Sequence, residues 1–376
     1  MTSLSELGPS RFSADFDSGS LIDLRKTGPG EFEFVMQSRE VHGEQGSLMV
    51  WFYGRCDLSG IRVSEGQRLR MTVPPPHRLG KIRPVYSYDN ESWDYVPDPY
   101  GPNGDVFRFE IPMRPGAGAV YFAAHFPYPS ARMHSLVARA ARSGIASVGS
   151  IGLTEEGRDI PVIRVGEPGS ARVVLLSAGS HAGETASLWG MEGIIEFLVS
   201  GCPESTEMLR STVFHIVPML NVDGTGLGLD RRQSTGVNIY FDYRSFASAE
   251  ARAMWGLVEK LRPDIWLDFH SWHTGVAEGA YGPDPSVIGA EAYSTQIKPL
   301  RDAINTHFPI KNWGPDTLDC PNTQALLQHG ISGFCPEFNM GLGADGRWKT
   351  CEDNKLLGID ILRALRRRLP KAGSEA

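Results

Sequence analysis

Long apolar runs are missing from this 376-residue chain. No stretch approaches the roughly 18–20 consecutive apolar residues that a helix needs to cross a bilayer, so no membrane association is expected. The opening residues, Met1-Thr2-Ser3-Leu4-Ser5-Glu6-Leu7, lack the basic and apolar regions of a secretory signal. Cysteine is scarce: Cys56, Cys202, Cys320, Cys335 and Cys351 are scattered, and none forms a Cys-x-x-Cys pair. That pattern excludes a disulfide framework and a cysteine-ligated zinc, and it fits reduced thiols in a cytoplasm. Positive charge is not in excess either. A net charge of −7 argues against a nucleic-acid partner, which would call for a basic face. Internal repeats are absent as well.

What remains is ordinary globular text, 41% hydrophobic and 22% charged. The length suggests two domains. From about Phe12 to Tyr128 short alternating runs recur: Glu31–Met36, Leu48–Tyr53, Arg68–Val73, Val106–Ile111 and Ala119–Ala123. Period-2 patterning broken by Gly and Pro predicts a sandwich of short antiparallel strands, with Pro74-Pro75-Pro76 as a rigid connector and no helix longer than a turn.

After Pro129 strands alternate with helices. Helices are expected at 131–142, 185–199, 248–262, 291–308 and 352–368. Strands are expected at 147–154, 161–165, 173–177, 212–220, 264–269 and 333–338. This order implies an α/β domain with a mixed, mostly parallel sheet flanked by helices. The division falls at 1–128 and 129–376.

Open α/β sheets gather ligands beyond the carboxyl ends of their strands. Val173–Ser177 leads into His181 and Glu184; Thr212–Leu220 leads into Asn221-Val222-Asp223-Gly224; the next strand ends at Asp268-Phe269-His270. A His and a Glu three residues apart recur by chance, and a lone His270 reads as a hydrogen-bonded structural residue. Together at neighbouring strand ends they make a two-His, one-Glu set for a catalytic zinc with an open position. Glu337 is a carboxylate inside the apolar run Phe334-Cys335-Pro336-Glu337-Phe338. It is the candidate base for a metal-activated water, or else a solvent-facing residue of an edge strand. Trp272 and Trp313 would line a pocket or simply pack. Cys335 reads as a small core residue, and His273 as a pocket or surface residue.

In this order and spacing, His181-Ala182-Gly183-Glu184, Asn221-Val222-Asp223-Gly224 and Asp268-Phe269-His270 resemble the zinc carboxypeptidase superfamily. The resemblance is to its cytosolic carboxypeptidase branch, and it extends to the N-terminal half through Phe16–Leu21, Trp51–Tyr53, Arg83–Ser87 and Phe126–Tyr128. It implies one zinc per chain held by His181, Glu184 and His270, with Glu337 as general base. It also implies that Arg231, or its neighbour Arg232, polarises the scissile carbonyl.

The chain departs from the family at Gly236-Val237-Asn238-Ile239-Tyr240-Phe241. Asn238 stands where the family keeps an acid that orients the first zinc histidine, so the ligand should be less basic. Tyr240 and Phe241 replace an Asn-Arg pair that grips a peptide's terminal carboxylate, which removes a bidentate clamp. Arg244, three residues on, could in principle reach back.

The expectation is therefore a zinc-dependent hydrolase of amide bonds. Its substrate is a peptide or a small-molecule amide recognised in an altered way. The alternatives are an amidase or deacylase of a small or modified metabolite, and a non-catalytic binding protein.

Overall fold

The computed structural model describes residues 2–36, 51–75, 79, 82–97, 106–272, 277–343 and 345–366. The N-terminal region holds two larger sheets. One orders Phe107–Pro112, Arg68–Val73, Glu31–Val35 and Ile22–Gly28; the other orders Phe12–Ser13, Tyr53–Asp57, Ala119–Ala123, Val85–Ser87 and Asp94–Tyr95. Alternation does what the pattern requires: Leu69, Met71 and Val73 are buried, and Arg68 and Arg70 between them are exposed. The inward residues meet as an aromatic core, with Phe52 stacked on Phe109 at 5.4 Å and set edge-on to Phe34 at 5.2 Å. Within these two sheets pairing is antiparallel except where Glu31–Val35 runs parallel to Arg68–Val73. The expected strand over 48–53 lies partly outside the described residues. The strand seen there is Tyr53–Asp57, and Trp51 and Phe52 lead into it.

The second region is one eight-stranded sheet built from β1 (Ala146–Leu153), β2 (Asp159–Val165), β3 (Arg172–Ala178), β4 (Thr212–Val217), β5 (Ile265–Trp272), β6 (Gly279–Pro283), β7 (Asn312–Asp316) and β8 (Ser332–Asn339). Their order is β1-β2-β4-β3-β5-β8-β6-β7. The central pairs β4·β3, β3·β5 and β5·β8 are parallel, as is β6·β7; β1·β2, β2·β4 and β6·β8 are antiparallel. Helices α1 (Ser130–Arg142), α2 (Thr185–Val199), α3 (Ala249–Leu261), α4 (Pro321–His329) and α5 (Cys351–Arg366) accompany the sheet.

Several boundaries moved. The strand expected over 212–220 stops at Val217, ahead of Pro218. The single helix expected over 291–308 is broken into Ala290–Ala292, a π-turn at Tyr293–Ile297 and Lys298–Ile304, with Pro299 at the last start. β6 (Gly-Ala-Tyr-Gly-Pro) and β7 (Asn-Trp-Gly-Pro-Asp) escaped the reading because glycine and proline usually interrupt strands.

The two regions share one continuous apolar core. Polar contacts join them too. The Asp17 carboxylate accepts from the Ser130 hydroxyl and the Ala131 amide, both at 2.9 Å, and so caps α1. Trp189 Nε1 donates to the Phe126 carbonyl at 3.3 Å.

α2 carries the chain straight out of the candidate site, and it is buried almost throughout. It packs against α5 through glycines. A Cβ on Gly358 would fall 2.2 Å from the Gly190 carbonyl oxygen, and one on Gly193 would fall 2.6 Å from Lys355 Cα. The buried Glu192 carboxylate takes Arg132 of α1 at 2.6 and 2.8 Å and Lys355 of α5 at 2.9 Å. Among the described residues no helix is long and apolar enough to cross a membrane. We expect Gly358→Ala to destabilise the protein by roughly 1–3 kcal/mol, because the added methyl meets backbone. Urea unfolding measures this, and an unchanged midpoint would contradict the helix contact described here.

Candidate metal centre

β3 ends in a turn at Gly179, whose φ of +74° breaks the strand. The chain then presents His181 and Glu184 immediately before α2, all buried. β5 lies beside β3 in parallel, with Ala178 opposite Phe269, so His270 emerges one residue further along. In the next parallel pair His270 stands opposite Glu337 of β8. Four polar side chains distant in sequence thus reach one end of the sheet because neighbouring parallel strands run in register.

The imidazoles are oriented by what holds their outer nitrogens. His181 Nε2 lies 3.0 Å from Asn238 Oδ1, and His270 Nε2 lies 3.0 Å from Asp268 Oδ2. Both Nδ1 atoms point inward, 3.2 Å apart. The Glu184 carboxylate closes the group, at 2.8 Å from His181 Nδ1 and 2.9 Å from His270 Nδ1. The ligand atoms of His181, Glu184 and His270 all lie within 4.8 Å of one another. Two nitrogens whose rings are braced from behind and one carboxylate oxygen are a donor set that suits a zinc ion, so the residues fit this metal.

The electrostatics follow from burial and proximity. Burial pushes the His181 pKa down. Burial also works against a charged His270, but Asp268 and Glu184 outweigh it and hold that imidazole well above its ordinary value. For Glu184 burial opposes ionisation, and the two histidines outweigh it and hold the carboxyl well below the usual range. Glu337 goes the other way: burial, with Glu184 beside it, pushes it up to about 8. One of its oxygens, Oε2, is buried without a hydrogen-bond partner among the described residues; the other lies 3.9 Å from Cys335 Sγ. The Cys335 thiol is pushed well above its usual value by burial and by Glu337, so it is a core thiol and no nucleophile.

Arg231 faces the centre, with Nη2 3.7 Å from Glu184 Oε1, and is 29% exposed. Arg232 turns to its own loop and donates to the Gly236 carbonyl at 2.8 Å. Asn221 braces the same loop. It accepts from the Gly224 amide at 2.8 Å and donates to the carbonyls of Ser180 and Arg232 at 3.3 and 3.1 Å.

Tyr240 packs its ring against His270 at 4.7 Å and His181 at 6.0 Å, and its hydroxyl donates to the buried Asp316 at 2.6 Å. Phe241 is 42% exposed, beside Tyr240. Arg244 is drawn to Asp319 at 3.5 Å and joins no part of the cluster. His273 lies outside the described residues.

Sequence reasoning quoted Asp268 only as part of a strand and missed its contact with His270. Strand alternation carried the signal, since residues two apart share a face. Asp316 had no such signal, because its strand was itself unrecognised.

Residues 133–245 match the zinc carboxypeptidase family. A metallo-carboxypeptidase from Burkholderia cenocepacia superposes with a TM-score of 0.81 at 21% identity, over 95% of this chain and 97% of that one. A metallo-carboxypeptidase from Pseudomonas aeruginosa does so with 0.75 at 23%, over 94% and 97%. At such identities the likeness is one of fold.

An uncharacterized protein of Zymomonas mobilis is 24% identical over 270 residues, 69% of this chain and 67% of its own length. Cytosolic carboxypeptidase 2 of Danio rerio is 26% identical over 203 residues, which is 49% of this chain but only 28% of that protein. The family match covers under a third of the chain, the solved structures share its fold, and its buried His-Glu-His cluster is compatible with a metal-dependent hydrolase.

We expect Asp268→Asn to weaken zinc binding about 10–100-fold, the usual cost of losing such a support, as read by competition with a chelator. Asp268 and Glu184 favour the charged form of His270, and a proton on its Nδ1 must leave before that nitrogen can bind zinc. Affinity should therefore rise with pH, and calorimetry in two buffers of different ionisation enthalpy should register proton release. No release would contradict the charged His270.

Proposed function

We propose that the protein is a zinc-dependent amide hydrolase of carboxypeptidase type whose substrate is not gripped by a terminal-carboxylate clamp. The observation that carries this reading is the buried set of His181, Glu184 and His270 with Glu337 opposite His270 on the adjoining strand. His181 Nδ1, Glu184 and His270 Nδ1 would hold one zinc per chain, with Asn238 and Asp268 keeping the two rings aimed. The bound ion would supply Lewis-acid polarisation of the scissile carbonyl and a lowered pKa for attacking water.

Glu337 takes a proton from that water and returns it to the leaving amine. Its burial favours the protonated form, and the positive charge of the centre favours the carboxylate, so the group is poised between the two. Arg231, partly exposed at the rim, steadies the negative charge that develops on the carbonyl oxygen.

Substrate recognition is the point of departure. Tyr240 and Phe241 put a buried phenol and an exposed phenyl ring where the resemblance leads one to expect an Asn-Arg clamp. Arg244, paired with Asp319, does not supply the missing guanidinium. This supports an amidase or deacylase of a peptide or small modified amide over a strict carboxypeptidase. The intact ligand set and Glu337 argue against a silent binding protein, which has no physical need of all four.

The reading places the chain in the cytosolic carboxypeptidase-like branch and in the cytoplasm, supported by the names of its partial relatives and by five unpaired cysteines. It also treats 1–128 and 129–376 as two units, supported by the change from paired sheets to α/β alternation at Ser130.

Metal analysis should find about one zinc per chain. Glu337→Gln should keep that zinc and lose turnover by several orders of magnitude; undiminished turnover would sink the role of Glu337. Matched substrates with free and amidated C-termini test the recognition. We expect the amidated form to be cleaved at least as well, and a strong preference for the free acid would overturn the lost-clamp argument.

A further inference from the structure

On the outer part of the sheet three glycines are each covered by an aromatic ring. A Cβ on Gly279 would fall 2.2 Å from Trp272 Cζ2, one on Gly314 would fall 2.2 Å from Tyr281 Cε1, and one on Gly282 would fall 2.5 Å from Trp313 Cη2. Glycine weakens a strand, and a ring laid over it restores cover. Support of the strand accounts for Trp313, which packs on Phe334 at 5.4 Å on the face away from the centre. The Trp272 and Tyr281 rings cover their glycines on the opposite face.

Gly279 stands directly opposite Glu337 in the antiparallel pair β6·β8, and Tyr281 stands opposite Cys335. Directly opposed residues project to the same face, as do residues two apart on a strand. The Trp272 and Tyr281 rings therefore stand on the face that carries Glu337 and His270. The Trp272 ring is fixed by Nε1, which donates to the Ala277 carbonyl at 3.1 Å. Tyr281 is 37% exposed. Burial and the Glu337 carboxylate raise its pKa while Arg231 lowers it. The phenol thus lies within the field of both groups and keeps its proton at neutral pH, so it remains a hydrogen-bond donor.

We infer that Trp272 and Tyr281 form an aromatic platform beside Glu337 that receives a flat apolar or aromatic group of the substrate, with the Tyr281 hydroxyl donating to an acceptor on that group. The inference rests on the hydrolase reading above and gives it a substrate class: amides bearing an aroyl or other planar substituent near the scissile bond. Ring-on-ring contact here takes over the orienting role that a carboxylate clamp would have had. Trp272 and Tyr281 are specificity residues in this scheme, and Gly279 and Gly314 are the clearances that let the rings lie down.

The test is binding, measured apart from turnover. Zinc-loaded Glu337→Gln protein is titrated calorimetrically with N-benzoylglycinamide and with N-acetylglycinamide. The benzoyl compound should bind about tenfold more tightly. Adding Tyr281→Phe, which keeps the ring and removes the donor, should cost the benzoyl compound a few-fold. Adding Gly314→Ala, which pushes the ring off its seat, should erase the preference while leaving the acetyl compound unchanged. Trp313→Leu on the far face should alter neither. Equal binding of the two probes, or a preference that survives both the Tyr281 and the Gly314 changes, overturns the platform. Failure of the hydrolase reading shows separately, as absence of zinc or of any amide turnover in the unmutated protein.

Discussion

Glu184 is a carboxylate with almost no access to water, set between two imidazoles. A buried charge of this kind is stable only when it is paired and fully hydrogen-bonded. The pairing is arranged from several elements at once. His181 comes from the same turn and His270 from β5, and the Ser271 amide donates to the Glu184 carboxylate at 2.9 Å. Asp268 then ties His270 back to β3, accepting from the Ser177 hydroxyl at 2.6 Å, and that hydroxyl in turn accepts from Trp266 Nε1 at 2.8 Å. Loosening any member leaves a charge stranded in the core, so the geometry of the centre and the packing of the sheet depend on each other.

The opposite tendencies of Glu184 and Glu337 come from the same source. Both are buried. Glu184 has two imidazoles against it that favour the ionised form; Glu337 has one oxygen without a hydrogen-bond partner among the described residues, a thiol and the negative Glu184 for company, and is pushed toward neutrality. Environments that drive two carboxylates apart are what a division of labour between ligand and proton carrier requires. The Tyr240–Asp316 pair answers the same demand of burial. A phenol packed on the two imidazoles has its hydroxyl buried, and Asp316 supplies the acceptor it needs.

Much of the centre was legible because its parts sit at strand ends that hydrophobic patterning marks well. Val173–Leu176 and Ile265–Leu267 are continuous apolar runs, and buried parallel strands leave few other readings. Asn238 was singled out by its position, and its Oδ1 lies 3.0 Å from His181 Nε2. Tyr281 was not. It lies in Gly-Ala-Tyr-Gly-Pro, where local rules favour a loop, and only pairing with β8 and β7 makes that segment a strand. The same holds for Asp316 in β7.

The sequence by itself determined the α/β order of the second half, four of the strands of the first, and the set of residues able to bind a metal, because each is written in local periodicity or in the side-chain chemistry of a short stretch. Only the tertiary structure decided which arginine faces the centre, which nitrogen of each histidine points inward, and which aromatic rings share a face with Glu337. Those outcomes depend on register between strands far apart in the chain. A shift of one residue in register sends every side chain to the other face, and no single stretch of sequence records it.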